Sequence, residues 1–168
     1  MARIPYAPPE SPGSDHALNL FRMLAHSPPV LEGFAKLGSA LLLEGTLDPR
    51  LREMAILRVG HTFGASYEVN KHRAIAQAVG VSETALAATR PDASVRDLAP
   101  AERAVLRLTD ELCRTARASD EALEATRRVL DDRALVELVV TVGYYALVCR
   151  VLETFGVDPE HPSPPTKA

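Results

Sequence analysis

The chain has 168 residues, 46% hydrophobic and 24% charged, the composition of one globular domain large enough to bury a core rather than of a disordered or fibrous chain. A formal net charge of -3 excludes the global basic field that drives sequence-independent binding to nucleic acid or anionic membranes, so neither is expected as a partner. Two cysteines, Cys113 and Cys149, make neither a disulfide framework nor a zinc cluster; they fit a reducing compartment, and a cytoplasmic location is expected.

Residues 1–13 hold Pro5, Pro8, Pro9 and Pro12 without an apolar run, which predicts an extended Pro-rich segment and no secretory signal. Ten of the 13 prolines fall in residues 1–29 or 159–168. Proline is expelled from helix interiors, so one domain of long helices is predicted over 14–158, with a flexible Pro-rich tail at 159–168. Helices are predicted at 14–25, 29–44, 49–62, 65–79, 83–88, 100–117, 120–130 and 132–155. Pro49 and Pro100 suit first turns, and Asp48, Ser82, Ser119 and Asp131–Asp132 precede helix starts. Gly45, Gly80 and Gly156 each follow an apolar-periodic run, as a C-terminal cap does. The most apolar stretch, Ala134 to Phe155, is interrupted by Glu137, Arg150 and Glu153 and reads as a buried helix rather than a membrane span. No segment alternates with period two, so the class is all-α with about six to eight helices.

The informative segment is 48–82. Ala65, Glu68, His72, Ile75 and Val79 are spaced 3-4-3-4, the spacing of one inward stripe, which sets Glu68 and His72 where core residues belong. A carboxylate and an imidazole there must be paired or line a cavity. At i and i+4 they reach each other, and His72 is then poised as an acid or base near neutral pH. A surface ion pair in a tilted register fits the spacing equally well. Glu53, on the preceding helix, faces this pair if the HTFG linker (61–64) turns the chain back antiparallel; the alternative is an exposed glutamate between Arg50 and Arg52. His61 caps helix-end carbonyls on the plain reading, and one of Tyr144 and Tyr145 either points into the same cavity or packs structurally. Glu53, Glu68 and His72 make a conceivable metal set, but the ExxH pairs of di-iron bundles are absent, and neither metal nor cofactor is expected.

The run LDPRLREMAILRVGHTFGASYEVNKHRAIAQAVGVSE resembles the carboxymuconolactone decarboxylase family, which also includes the AhpD-type alkylhydroperoxidases. VELVVTVGYYALVCRVLETFGVDPE resembles the family's last helix. With LNLFRMLAHSPPVLEGFAKLGSALL, the likeness spans most of residues 15–160. In the peroxidase branch a glutamate is followed after twelve positions by Cys-x-x-Cys, and a histidine lies four beyond the second cysteine. Glu53 and His72 match the outer members, but Ala65 and Glu68 stand at the cysteine positions, so thiol peroxidase activity is disfavoured. The decarboxylase branch carries Glu-x-x-x-His, as Glu68 and His72 do. The resemblance implies an AhpD-like helical subunit in a homo-oligomer, trimer or hexamer, and a cofactor-free decarboxylation, or a related lyase or isomerase step, on a small lactone or unsaturated carboxylic acid. His72 is then the proton donor, Glu68 its orienting partner and Glu53 a supporting carboxylate or alternate base. Arg58 is the candidate for the substrate carboxylate, and Tyr67, His61 and Tyr144 are further substrate contacts. A non-catalytic oligomer binding a small molecule through the same cavity is the alternative.

Overall fold

The computed structural model describes residues 1–160, which form eight α-helices and no strand. They are α1 (Asn19–Leu24), α2 (Pro28–Ser39), α3 (Pro49–Phe63), α4 (Ser66–Ala78), α5 (Glu83–Ala88), α6 (Pro100–Thr115), α7 (Asp120–Arg127) and α8 (Asp132–Phe155). Four starts carry the side-chain caps the sequence offers. Asp48, Ser82, Ser119 and Asp131 accept the backbone N–H of Arg50, Ala85, Ala122 and Ala134. Each bond satisfies a first-turn donor that has no partner within the helix.

Helices α6 and α7 end two and three residues earlier than the sequence reading placed them, and two larger differences lie near the start of the chain. The first helix begins at Asn19 rather than near 14, because the His16 ring accepts the Leu18 N–H and the Ser14 hydroxyl donates to the Pro9 carbonyl. Such local bonds compete with helix for the same backbone. After α2 the chain continues through one π-helical turn, Ala40–Glu44, and Gly45 leaves it extended (φ -69°, ψ 154°) instead of capping it in the left-handed region. A Cβ on Gly45 would lie 2.9 Å from the Leu41 carbonyl oxygen, so close approach rather than handedness selects the glycine. The left-handed cap after α3 is Gly64, at φ 68°.

Helix α3 is the axis of the fold. Every residue from Leu51 to Gly60 is buried, with α4, α6 and α8 packed around it. Charged Arg52, Glu53 and Arg58 are buried with it, so their partners must come from neighbouring elements or from each other. One apolar core joins α3 to α1, α2 and α8 through Leu51, Ile56, Leu138 and Val142; another joins its opposite face to α5 and α6 through Met54, Leu57, Leu86 and Leu106. Gly60 sets the approach of α4, since a Cβ there would lie 3.0 Å from Val69 Cγ2 and 3.8 Å from Glu68 Cβ.

Helix α8 is long and apolar enough by composition to cross a membrane, yet 56% of its most apolar window is buried in the helical core. Residues 1–13, expected as a separate extended segment, are fastened to the end of α8. The Met1 amino group pairs with Asp158 at 2.6 Å, and the Arg3 N–H donates to the Phe155 carbonyl at 2.7 Å. Of the tail expected to be loose, residues 161–168 lie outside the described residues, while Glu160 is bound to α4 and α1.

Candidate active site

Glu53 lies on α3 and His72 on α4, and the return of the chain at Gly64 brings them together. His72 Nδ1 lies 2.6 Å from Glu53 Oε2, and its Nε2 lies 3.0 Å from Glu68 Oε1, one turn earlier on α4. Exposure falls to 0% for Glu53, 4% for Glu68 and 7% for His72, so the surface-pair alternative and the exposed-glutamate alternative are both excluded. Arg52 Nε sits 3.5 Å from Glu53 Oε1. Two carboxylates, one guanidinium and one imidazole therefore share one buried cluster, in which a protonated imidazole balances the charges.

Burial by itself lowers the basicity of His72. The hydrogen bonds that Glu53 and then Glu68 accept from the ring outweigh it and raise the imidazole to about 9. A carboxylate on each nitrogen favours the imidazolium form of His72, which shifts it from a group balanced at neutrality toward a proton donor. The edge of Tyr145 packs against its ring at 4.9 Å between centroids, fixing the plane in which both N–H groups donate.

Glu68 and His72 open onto a cavity of about 560 Å³ between α1, α2, α4 and α8. Its walls are mostly apolar, from Leu20, Phe34, Leu42, Ile75 and Val148. Tyr144 and Tyr145 both line it, and the Tyr144 hydroxyl donates to the Phe34 carbonyl at 3.2 Å. Gly38 makes room for that ring, since a Cβ there would lie 2.5 Å from the Tyr144 hydroxyl. Tyr67 lines the cavity as well. Ile75, expected on the core stripe, is instead 43% exposed at the cavity wall; Ala76 takes the core position.

Two expected substrate contacts lie elsewhere. Arg58 is buried on the far side of α3, where it donates to the Ala88 carbonyl at 3.0 Å and pairs with Asp110 at 3.2 Å, so it does not reach a carboxylate in this cavity. The reason is angular: five residues along a helix turn a side chain well away from Glu53. His61 is half-buried on that same side, where burial and then the positive charges of Arg90, Arg58 and Arg73 lower its basicity. Conversely, Lys71 and His16 line the cavity and escaped sequence reasoning. Lys71 was detectable: it stands four residues from both Tyr67 and Ile75, on a second stripe of α4 offset from the core stripe. Burial raises the thiols of Cys113 and Cys149 to about 11 and about 12, leaving them protonated and weakly nucleophilic. Among the described residues, no group of three His, Cys, Asp or Glu side chains is arranged to hold a metal ion.

The sequence model of the carboxymuconolactone decarboxylase family matches residues 28–111, half of the chain and the half that contains Glu53, Glu68 and His72. The chain belongs to this family. Solved structures give this family member an AhpD-like fold. A peroxidase-related protein from Silicibacter sp. TM1040 superposes with a TM-score of 0.75 at 19% identity, over 95% of this chain and 94% of its own. An alkylhydroperoxidase AhpD core protein from Ralstonia eutropha JMP134 gives 0.75 at 24%, over 85% and 77%. A protein of unknown function from Agrobacterium tumefaciens, named as a candidate antioxidant defence protein AhpD, gives 0.73 at 22%, over 82% and 94%. No curated protein matches the sequence of this family member. At such identities the likeness carries the fold and not the chemistry.

Proposed function

We propose that the protein is a cofactor-free acid/base enzyme, a carboxy-lyase or related isomerase acting on a small lactone or unsaturated carboxylic acid. The observation that supports this reading is the line Glu53–His72–Glu68, which runs from the buried core to an apolar cavity and ends on a carboxylate at its wall. In a decarboxylation the C–CO₂⁻ bond breaks, its electron pair enters the conjugated ring, CO₂ leaves, and one proton must reach a ring carbon. His72 delivers its Nε2 proton to that carbon, directly or through Glu68, whose carboxyl takes the proton from Nε2 and hands it on; Glu53 holds the imidazole and stabilises its positive charge. Water returns the proton after release. Positioned proton transfer of this kind contributes on the order of 10²–10⁴ in rate. The test is a screen of unsaturated carboxylactones and β-keto acids for CO₂ release, repeated with His72→Gln. Unchanged turnover in the variant refutes His72 as the acid.

The same proposal includes self-association and a reducing, cytoplasmic setting. Val136, Val140, Gly143 and Leu147 form an outward stripe of α8 with 4-3-4 spacing, and the three large side chains are 62%, 37% and 47% exposed. A second copy of α8 against that stripe removes this apolar surface from water, as a homo-oligomer requires.

A further inference from the structure

Two residues of the cavity wall already hold a carboxylate that is not itself part of that wall. Glu160, just beyond the end of α8, pairs with Lys71 at 2.5 Å, accepts the Asn19 backbone N–H at 2.8 Å and accepts the Tyr67 hydroxyl proton. Tyr67 and Lys71 both line the cavity. The Lys71 ammonium also lies over the Tyr67 ring, 5.8 Å from its centroid, so cation and hydroxyl are held as one unit.

Three basic side chains line the cavity, and two of them are already engaged by groups of the fold. His72 is matched by two carboxylates. His16 is stacked on Phe21 at 4.3 Å and its Nδ1 accepts the Leu18 backbone N–H. Lys71 alone carries a positive charge balanced by a group from outside the cavity, and that group sits on a short segment rather than on a helix.

We infer that Lys71 and Tyr67 form a carboxylate subsite of the cavity, and that Glu160 occupies it as an internal competitor which the carboxylate of an apolar small molecule displaces. This deepens the proton-transfer reading by stating how the substrate is oriented: anchored by one carboxylate on Lys71 and Tyr67, with its apolar body directed toward Glu68 and His72. The anchored carboxylate is one the reaction retains. Ion pairing with Lys71 stabilises a carboxylate and so opposes loss of CO₂ from it, which assigns the bond that breaks to a different position on the molecule.

Binding of benzoate and of its neutral isostere benzamide to the full chain, followed by calorimetry, tests the subsite. Glu160→Gln removes the competing charge; benzoate is expected to bind about tenfold more tightly and benzamide to be unchanged. Lys71→Met is expected to abolish the preference for benzoate, and Tyr67→Phe to weaken benzoate alone. Equal affinity of the two probes in every form, benzoate binding unimproved by Glu160→Gln, or no binding of either probe overturns the inference. His72→Gln separates it from the reading beneath it. Discrimination lost while turnover still depends on His72 refutes only the subsite; discrimination retained while turnover ignores His72 refutes only the proton-transfer proposal.

Discussion

Replacing Glu53 with glutamine isolates what one buried carboxylate does to His72. The substitution keeps the side-chain shape and a hydrogen-bonding oxygen 2.6 Å from Nδ1 but removes the charge. His72 stands at about 9 against an ordinary 6.5 because the bonds from Glu53 and Glu68 outweigh burial. A hydrogen bond to a charged group contributes about 1.5–3 kcal/mol, and about 1.4 kcal/mol corresponds to one pH unit. Glu53→Gln is therefore expected to bring His72 down by roughly 1–2 pH units, close to neutrality. The assay is an NMR titration of the imidazole resonances, with the His72 signal assigned by its disappearance in His72→Gln. A His72 that titrates near 6.5 in the unaltered protein, or one that does not move in Glu53→Gln, refutes the account of a carboxylate-clamped imidazolium.

Three other outcomes follow from the same contacts. The folded-state value of His72 lies above its unfolded one, so its contribution to stability is complete below about pH 6.5 and is lost as pH rises through 9; urea unfolding should weaken across that window by roughly 3 kcal/mol, and His72→Gln should flatten the dependence. Arg58→Met leaves Asp110 and the Ala88 carbonyl without their buried partner, and a loss of roughly 1–3 kcal/mol in urea unfolding is expected with no change in benzoate affinity. Val140→Glu sets a charge in the middle of the α8 stripe, and light scattering should report a smaller particle than for the unaltered protein; an unchanged mass removes this face as the contact.

Most of the fold was legible because helix starts and stops are local chemistry. Asp48, Ser82, Ser119 and Asp131 cap where a short side chain meets a first-turn N–H, and Pro49 and Pro100 stand where a missing donor costs nothing. The start of α1 was not legible, since the turn there depends on the particular bonds of Ser14 and His16. In the site, Glu68 and His72 announced themselves as polar residues at core spacing. Glu53 needed the direction of the return at Gly64, and Arg58 needed a helical angle that spacing along one helix does not relate to a cavity built by four others. Lys71 was concealed for a different reason: α4 carries two adjacent stripes, one into the core and one along the cavity, and a single-period reading merges them, which also misplaced Ile75. Glu160 carried no sequence signal at all, because its partners lie 89 and more residues away.

The central claim is that a proton moves from the His72–Glu68 pair to carbon. Turnover of an unsaturated carboxylactone in D₂O, with the product analysed by mass spectrometry, tests it most directly. The account predicts one solvent deuterium on a carbon of the product's ring, and a fall in rate of at least about 10²-fold in Glu68→Gln and in His72→Gln. Product formed at an undiminished rate in both variants contradicts it.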